Sequence, residues 1–409
     1  MHIFYNIGIL IYKATVLIAS LWNNKARLMA EGWKDAWSIN KDISLKTAWF
    51  HVASLGEYEQ ARPVISQFKK SHPDYKVWLT FFSPSGYEVR KNDPIADFVS
   101  YLPMDTPRNA RRFVALVNPS VAFFVKYDFW FNILRELKSK EIPTYIFSAI
   151  FRPNHYFFKP YGRWFLRQLG CYSHLFVQNE ESLRLLESHG VRNCSIAGDT
   201  RFDRVHEIAK KSSADPVVEN FLNGSRCLLA GSSWEPDEQN LKQYFDDCPE
   251  ELKFIIAPHV IAPSHIEYIL KLFGEHTCLR YSEIAAGKTY SNRQRVLIID
   301  NIGHLSALYR YACVAYIGGG FGRGIHNILE ALTYAKPVVF GPNHGKFKEA
   351  CDIIRLGGGF GYQTYGEMKK YLDTLFLDKQ QYANASAICQ KYVEENLGST
   401  SKILDKISV

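Results

Sequence analysis

Short apolar runs alternate with stretches of helical periodicity along the chain after residue 45. The first series of runs predicts strands at 47–52, 76–82, 98–102, 120–125, 144–149, 174–178 and 194–198. The pattern then restarts and predicts strands at 226–231, 252–258, 295–300, 313–318 and 337–341. Three helical stretches follow Tyr365. Continuously apolar strands separated by helices are typical of parallel sheets that are covered on both faces.

Two such series predict an α/β protein with two Rossmann-like, doubly wound domains that face a central cleft. The 409 residues also exceed what one hydrophobic core usually supports. We divide the chain into an N-terminal segment at 1–40, a first domain at 41–199, a second domain at 200–380 and closing helices at 381–409. Because ligands bind at the carboxyl ends of parallel strands, we expect the chemistry in the strand-to-helix loops of both halves.

The N-terminal segment is unusually apolar. Residues 3–22 are almost enough to span a bilayer, although Asn6 and Lys13 interrupt them. Basic and tryptophan residues follow, and these suit a membrane interface. We therefore predict that the segment attaches the protein to a membrane, either as an anchor or on the surface. The alternative is an amphipathic helix packed on the domain's own core.

A second stretch, residues 150–170, interleaves aromatic side chains with cations. The cations are Arg152, Lys159, Arg163 and Arg167. This pattern favours an amphipathic surface for an anionic, apolar partner. The alternatives are an ordinary half-buried helix and a base-stacking strip for RNA.

The charge balance points to acidic partners. Lys and Arg number 49 against 41 Asp and Glu, and the net charge is +8. Phosphorylated small molecules or an anionic membrane would suit this excess. Blocks of basic residues and nucleic-acid-binding motifs are absent from the sequence, so we expect no nucleic-acid partner. The 8 cysteines form no CxxC pair, which indicates free thiols in a reducing compartment and no metal site.

A glycine run in the second half is the strongest local signal. The sequence IGGGFGRGIHNILEAL (317–332) places five glycines at positions 318–324, between a predicted strand and a predicted helix. Glycine amides and a helix N-terminus together form an anion site. His326 and Glu330 are spaced to share one face of the first helical turns, where the carboxylate could bind a ribose diol. The alternative is a structural His–Glu pair.

Two carboxylates mark the loops of the first half. Glu57 follows Gly56 in HVASLGEYEQARP (51–63), and Asp128 follows a buried strand. Glu57 could be a general base at the wall of the cleft, or a helix acid that the dipole favours. The Ser/Gly turn of FFSPSGYEVRK (81–91) could supply hydrogen-bond donors.

The second half offers further polar side chains at strand ends. Ser232 and Ser233 could donate hydrogen bonds, Glu235 is an acid at a predicted helix start, and His259 ends a strand. Arg201 lies where the two halves join, so we expect it to reach an anion in the cleft.

Together these motifs resemble the 3-deoxy-D-manno-octulosonate (Kdo) transferases, which are inverting GT-B glycosyltransferases of lipopolysaccharide assembly. The resemblance covers roughly residues 45–355 and is carried, in order, by HVASLGE, SPSGYE, YDFWFNIL, AGDTRFD, AGSSWEPDE, APH, IGGGFGRGIHNILEAL and GPNHGKFKEA. It implies transfer of Kdo from CMP-Kdo to a lipid A precursor at the cytoplasmic face of the inner membrane. Neither a metal ion nor another cofactor is implied.

The resemblance also assigns roles to residues. Glu57 is the expected catalytic base, and Asp128 stands where most members carry Glu. The expected acceptor-binding residues are Ser54, Gly56, Ser85 and Gly86. The expected residues for CMP-Kdo are Arg201, Ser232, Ser233, Glu235, His259, Gly319, Gly320, Gly322, His326, Asn327, Glu330 and Lys346. Pro258 and Trp234 stand where the family has Arg and His.

Other functions fit parts of the pattern. Another GT-B transferase could use a UDP- or GDP-sugar on a different glycolipid. A nucleotide-binding oxidoreductase needs a glycine fingerprint in the first strand-to-helix turn, and ASLGEYE has one glycine there. A non-catalytic envelope scaffold would be expected to lose the acids of these loops, whereas Glu57 and Glu330 are both present.

Overall fold

The computed structural model describes residues 1–39, 42, 44–291 and 293–408. The chain divides into two compact units, one formed by Met1–Arg204 with Leu397–Val409 and the other by Val205–Asn396. In the described part, each unit contains a seven-stranded parallel sheet between helices. This confirms the predicted α/β class with two Rossmann-like domains. The cleft stays a prediction, and the expected boundary between 40 and 41 lies outside the described residues.

The sheet of the first unit has the order β3-β2-β1-β4-β5-β6-β7. Its strands are β1 Thr47–Val52, β2 Lys76–Phe81, β3 Phe98–Tyr101, β4 Val121–Val125, β5 Thr144–Ala149, β6 His174–Val177 and β7 Cys194–Ile196. The central strands β1 and β4 are buried along their whole length. Aromatic side chains fill the layer beneath them, with the ring of Trp49 5.5 Å from Phe113 and 5.6 Å from Phe124. The carboxyl ends of these two strands carry the candidate acids.

Helices cover both faces of this sheet. They are α1 His2–Ala19, α2 Asn24–Asp35, α3 Leu55–Ser71, α4 Pro84–Arg90, α5 Pro107–Val117, α6 Phe131–Ser139, α7 Arg163–Gln168, α8 Glu180–Ser188 and α9 Thr200–Lys211. Short 3-10 turns at Tyr156–Phe158, Pro160–Gly162 and Leu169–Cys171 flank α7. Helix α9 runs across the division into the second unit.

The sheet of the second unit has the order β10-β11-β9-β8-β12-β13-β14. Its strands are β8 Cys227–Ser233, β9 Lys253–Pro258, β10 Cys278–Arg280, β11 Val296–Ile298, β12 Val314–Ile317, β13 Val338–Phe340 and β14 Gly359–Gly361. The sequence pattern misses β10 and β14, the two edge strands, because each has three residues and carries arginine or glycine. All eight cysteines are described and have free thiols, as predicted.

The remaining helices follow the chain to its end. They are α10 Pro216–Leu222, α11 Glu235–Asp247, α12 Pro263–Phe273, α13 Tyr281–Ala285, α14 Leu305–Leu308, α15 Leu329–Leu332, α16 Lys348–Leu356, α17 Tyr365–Leu377, α18 Lys379–Asn396 and α19 Ser399–Leu404. Short 3-10 turns lie at Glu275–Thr277 and Tyr309–Tyr311. The three helices predicted after Tyr365 are therefore present as α17, α18 and α19.

The last helix returns to the first unit, which differs from the predicted division at 199/200 and 381–409. Asp203 accepts hydrogen bonds from the amides of Gly398 and Thr400, at 2.8 and 2.6 Å. Ile403 of α19 is fully buried in the core of the first unit. The chain therefore changes units at Arg204 and again at Leu397, because a buried side chain and a capped helix start hold α19 on the first sheet.

Helix α1 is apolar enough to cross a membrane by length and composition, and it is the one such helix in the described part of the chain. One of its faces packs on the first unit. The hydroxyl of Tyr5 donates to Asp105 at 2.6 Å, His2 hydrogen-bonds Asn132 at 2.9 Å, and Asn6 accepts from Asn132 at 2.9 Å. Polar residues that interrupt the apolar stretch therefore dock the N-terminal half of α1 on its own domain.

Candidate active site

His51 lies at the centre of a buried network at the end of β1. The indole Nε1 of Trp130 donates to His51 Nε2 at 3.0 Å. Because an indole N–H can only donate, Nε2 accepts, and the ring proton lies on Nδ1, 2.8 Å from Thr80 Oγ1. Burial lowers the pKa of His51 to about 3. The imidazole is therefore neutral at physiological pH.

Asp128 follows β4 and is buried beside this imidazole. Its Oδ2 lies 3.6 Å from His51 Nε2, but a neutral ring that already accepts a hydrogen bond cannot pair with it as an ion. The Ala53 amide donates to the carboxyl group, while Oδ2 has no hydrogen-bond partner. Burial, and then the charge of Glu57, raises the pKa of Asp128 well above its usual value. Both effects favour the protonated form of Asp128 in the folded protein.

Glu57 lies in the first turn of α3 and is half-buried. The hydroxyl of Ser54, at the N-cap position of α3, donates to Glu57 Oε2. The charge of Glu57 acts on Asp128, so the two carboxyl groups belong to one site although they are distant in the sequence. Two carboxyl groups in different environments are a common arrangement for acid and base roles.

The other predicted acceptor residues have clear local contacts. Gly56 is exposed, and a Cβ there would meet Ser54 Oγ at an ordinary 3.7 Å. Ser85 is exposed, with its hydroxyl 3.0 Å from that of Ser83. Gly86 is buried, and a Cβ there would approach the Phe81 ring to 2.4 Å. Packing of α4 on β2 therefore explains the glycine at 86, and acceptor binding by these residues stays a prediction.

In the second unit, the glycine run forms a tightly packed loop after β12. A Cβ at Gly318 would lie 2.2 Å from the carbonyl oxygen of Ser232, and one at Gly320 would lie 2.6 Å from the Cα of Gly341. Gly319 and Gly324 have φ of +89° and +142°, which favour glycine. Close backbone crossings therefore account for most of the run. Gly322 has more room, since the nearest atom to its Cβ would be 3.6 Å away.

The helix predicted to begin at His326 is shorter than expected. His326 and Asn327 lie in the loop, and α15 starts at Leu329 and has 4 residues. Asn327 Oδ1 accepts the Leu329 amide at 3.1 Å, and its Nδ2 donates to Glu330 at 3.1 Å. This side-chain turn competes with helix in front of Leu329. The predicted His326–Glu330 pairing on one helical face is therefore wrong, and so short a helix provides no N-terminal anion site.

A buried carboxylate organises the loop. Asp237, in the first turn of α11, accepts the amide of Gly319 at 2.9 Å and the hydroxyl of Tyr316 at 2.8 Å. It also accepts the amide of Trp234 at 3.0 Å. Burial raises the pKa of Asp237, and these hydrogen bonds oppose the shift. The Gly319 amide thus donates its hydrogen bond to Asp237 within the protein. Asp237 is not among the residues predicted from the sequence, and the available signal is its position three residues after the N-cap residue Trp234.

Three rings stack at one side of this loop. Trp234 lies over His259 with centroids 4.7 Å apart, and His259 lies over His326 at 4.4 Å. Trp234 Nε1 donates to His326 Nε2 at 3.2 Å. Burial, followed by the nearby His259, lowers the pKa of His326. The stack therefore presents a neutral His326 with its proton on Nδ1.

A cavity of about 520 Å³ opens beside the stack and the glycine loop. Of the residues predicted to bind the donor, it brings together Gly319, Gly322 and His326. Its lining also includes Phe321 and Arg323, which the sequence analysis missed. Arg323 is exposed, and no carboxylate in the described part of the chain pairs with it. The sequence signal for Arg323 is its position as a cation within the glycine run.

Four other residues predicted to bind the donor, Ser232, Ser233, Glu235 and Lys346, are not part of the cavity lining. Ser233 is buried and donates to Glu238 at 2.8 Å, while Glu235 is exposed at the start of α11. Ser232 has a φ of +54° in the close crossing with Gly318. Lys346 is exposed in the loop after β13. These positions leave their roles in donor binding as predictions.

Arg201 belongs to the first unit. It pairs with Asp199 at 2.7 Å, and its own amide also bonds that carboxylate. Burial raises the pKa of Asp199, but the interactions with Arg201 outweigh it and hold the pKa below its usual value. Contact of Arg201 with a donor anion stays a prediction. Across the described residues, no group of three or more His, Cys, Asp or Glu side chains could hold a metal ion.

Comparison with known proteins finds Kdo transferases. Residues 24–204 match the sequence profile of the 3-deoxy-D-manno-octulosonic-acid transferase (kdotransferase) family. The chain is 24% identical over 324 residues to the 3-deoxy-D-manno-octulosonic acid transferase of Rickettsia prowazekii, covering 76% of this chain and 67% of that protein. It is also 24% identical over 341 residues to the 3-deoxy-D-manno-octulosonic acid transferase of Aquifex aeolicus, covering 81% of this chain and 87% of that protein.

The family profile over residues 24–204 and the relatives along most of the chain both support the resemblance to Kdo transferases that the sequence motifs predict. They support a glycosyltransferase of lipopolysaccharide biosynthesis. Among solved structures, the UDP-GlcNAc 2-epimerase of Neisseria meningitidis bound to UDP-GlcNAc matches with a TM-score of 0.62 and 15% identity, over 88% of this chain and 99% of that one. This likeness shows the two-domain fold alone.

Proposed function

We propose that this protein transfers Kdo from CMP-Kdo to a lipid A precursor such as lipid IVA, with inversion at the anomeric carbon. The observation that carries the proposal is the coupling of a half-buried Glu57 to the buried carboxyl group of Asp128, whose pKa is raised. One carboxylate of the pair is thereby left to accept a proton. The family resemblance supplies the sugar that is transferred.

Glu57 removes the proton of an acceptor hydroxyl, and the hydroxyl oxygen attacks the anomeric carbon of Kdo. The bond between that carbon and the phosphate oxygen breaks, and its electron pair leaves with CMP. The proton stays on Glu57 until it passes to solvent. Neutral Asp128 avoids a second negative charge beside the developing alkoxide and donates a hydrogen bond towards it.

The cavity beside the glycine loop is the proposed CMP-Kdo site. Trp234 and Phe321 offer aromatic faces, and Gly322 leaves room for close approach. CMP carries one phosphate, which we assign to Arg323 and Lys346 rather than to a metal ion. The remaining residues of the second unit that the family resemblance assigns to the donor are proposed to surround this core.

The membrane is the proposed location of the acceptor. Helix α1 turns large apolar side chains to the outside, including Phe4, Ile11 and Ile18. Such a helix suits the interface of an anionic membrane. We propose that the protein acts at the cytoplasmic face of the inner membrane, held there through its N-terminal segment.

Purified full-length protein incubated with CMP-Kdo and lipid IVA tests the function, with products read by mass spectrometry. We expect addition of Kdo to the lipid and release of CMP. Parallel reactions with UDP- and GDP-sugars test the alternative donors. Transfer from one of these, with none from CMP-Kdo, would overturn the proposed donor and keep the assignment as a glycosyltransferase.

A further inference from the structure

An aromatic cavity of about 410 Å³ lies in the first unit, next to the proposed catalytic pair. Helix α1 forms one wall through Tyr5 and Ile9, and Tyr161 and Phe165 form another. Asp128 belongs to the lining, so the cavity reaches the carboxyl group that is coupled to Glu57. The lining is otherwise aromatic or aliphatic and includes four tyrosines, but most of its exposed surface is apolar, which suits a hydrocarbon ligand better than a sugar.

The wall formed by α1 is continuous with a large apolar surface. Ile9 is 8% exposed and faces the cavity side of the helix, whereas Ile3, Phe4 and Ile11 are 72%, 71% and 62% exposed on the outer side. An apolar face of this size on one helix marks a membrane contact. A hydrocarbon chain could therefore pass from the lipid phase along α1 into the cavity without crossing water.

Cations surround the mouth of the cavity. Arg152 donates to the hydroxyl of Tyr127 at 3.1 Å, and the ammonium of Lys126 lies 5.7 Å from the centroid of the Tyr127 ring. Arg163, at the start of α7, is exposed two residues after the lining residue Tyr161. An apolar interior with a cationic rim is complementary to a lipid that has an anionic headgroup.

From these observations we infer that the cavity binds one acyl chain of the membrane-embedded acceptor glycolipid. This inference rests on the proposed function. The chain enters beneath α1, the anionic headgroup meets Arg152 and Arg163, and the acceptor sugar is brought to Asp128 and Glu57. Helix α1 is then part of the acceptor site as well as a membrane contact.

The test compares two acceptors and two matched substitutions. Ile9→Trp fills the cavity, and Leu10→Trp adds the same ring to the outer face of α1, where Leu10 is 55% exposed. Full-length variants are assayed with a tetra-acylated disaccharide bisphosphate in detergent and with the same disaccharide after removal of its acyl chains. Binding of cis-parinaric acid, followed by fluorescence, gives a readout independent of turnover.

Ile9→Trp should raise KM for the acylated acceptor and weaken parinarate binding, each about tenfold, the affinity that roughly two buried methylenes contribute. It should leave kcat/KM for the deacylated acceptor unchanged, and Leu10→Trp should change neither. Equal effects of Ile9→Trp on both acceptors, or equal effects of both substitutions, would overturn the inference.

Tyr161→Ala provides a second variant in case Ile9→Trp does not fold, because Tyr161 is 64% exposed and contributes little to the core. It should also raise KM for the acylated acceptor alone. An unchanged KM would refute the acyl-chain site. If the wild-type protein transfers Kdo to neither acceptor, the proposed function fails, and parinarate binding still decides whether the cavity takes a hydrocarbon chain.

Discussion

The carboxyl group of Asp128 lies 3.6 Å from the imidazole of His51, yet the two form no ion pair. His51 is neutral because burial lowers its pKa and because Trp130 donates to its Nε2. His51 therefore supplies no positive charge that could stabilise the ionised form of Asp128. The charge of Glu57 opposes ionisation of Asp128 further. The geometry at the end of β1 and β4 thus places the two carboxyl groups in different environments and favours the neutral form of Asp128.

The first prediction concerns the different roles of these two acids. Glu57→Gln should lower kcat by roughly 10²–10⁴, the usual contribution of a positioned base. Asp128→Asn should stay within about tenfold of wild type, because an amide resembles a protonated carboxyl group in shape and can also donate a hydrogen bond. Steady-state transfer assays measure both. A loss for Asp128→Asn as large as that for Glu57→Gln would mean that Asp128 acts as an ionised group.

The raised pKa of Asp128 also predicts a pH dependence of stability. Above the unfolded pKa of about 3.9, the unfolded chain loses the proton while the folded protein keeps it. The wild type therefore loses stability as pH rises above about 4, and Asp128→Asn escapes this loss. The Tm of Asp128→Asn relative to wild type should increase from pH 4 to pH 7, measured by thermal unfolding.

Asp97→Asn is the matched control. Burial raises the pKa of Asp97, but the Val77 amide and the ammonium groups of Lys69 and Lys76 outweigh it, so the pKa is lowered. Asp97 therefore ionises at a lower pH in the folded protein than in the unfolded chain. Its ionised form stabilises the fold above the pKa of the unfolded chain, and this contribution is lost as the pH falls through the folded pKa. The Tm of Asp97→Asn relative to wild type should therefore decrease from pH 4 to pH 7. Parallel trends for the two variants would contradict the assignment for Asp128.

The docking of α1 gives a prediction at Tyr5. Burial raises the pKa of Asp105 to about 6, and the Tyr5 hydroxyl donates to this carboxyl group. Above pH 6 the hydrogen bond is made to a charged acceptor, worth about 1.5–3 kcal/mol. Tyr5→Phe should therefore lower the Tm more at pH 7.5 than at pH 5, and should speed proteolysis after α1.

Tyr12→Phe on the same helix serves as the control for Tyr5→Phe. Tyr12 stacks on Phe82, with ring centroids 6.1 Å apart, and is 41% exposed. Removal of its hydroxyl should leave both the Tm and the proteolysis rate close to wild type at either pH. Equal cleavage rates for the two variants would show that the Tyr5–Asp105 hydrogen bond does not hold α1.

The ring stack predicts a change in the titration of His326. Trp234→Phe keeps an aromatic ring on His259 but removes the N–H that donates to His326 Nε2. This hydrogen bond stabilises the neutral imidazole, so its loss should raise the pKa of His326. NMR titration of the histidine Cε1–H signals measures the shift, with His326→Gln to assign the resonance. An unchanged His326 titration in Trp234→Phe would mean that the indole N–H does not bind Nε2 in solution.

The sequence could predict the sheets better than the site. Strands such as β1 and β8 are buried on both faces, so continuous apolar runs identify them. The three-residue edge strand β14, Gly359–Gly361, carries no such run. The helix predicted from His326 begins late because the Asn327 side chain binds the Leu329 amide, and side-chain turns of this kind have no periodicity.

The contacts within the site depend on residues far apart in the sequence. Trp234, His259 and His326 form one stack, and Asp237 binds the amide of Gly319 across 82 positions. Local pattern identifies each loop as a candidate, since each follows a strand. Local pattern cannot show that the carboxylate of one loop accepts a hydrogen bond from the amide of another. This contact depends on the pairing of β8 with β12 in the folded sheet.

The last prediction separates packing from binding within the glycine run. Gly320→Ala places a methyl group 2.6 Å from the Cα of Gly341, where two backbones cross, and should cost about 1–3 kcal/mol of stability. Gly322→Ala meets no atom closer than 3.6 Å and should change stability by less than about 0.5 kcal/mol. Because Gly322 lines the cavity, its methyl group should instead weaken CMP binding. Chemical denaturation and calorimetric titration with CMP measure the two quantities, and a stable Gly320→Ala variant with weakened CMP binding would reverse the assignment of the two glycines.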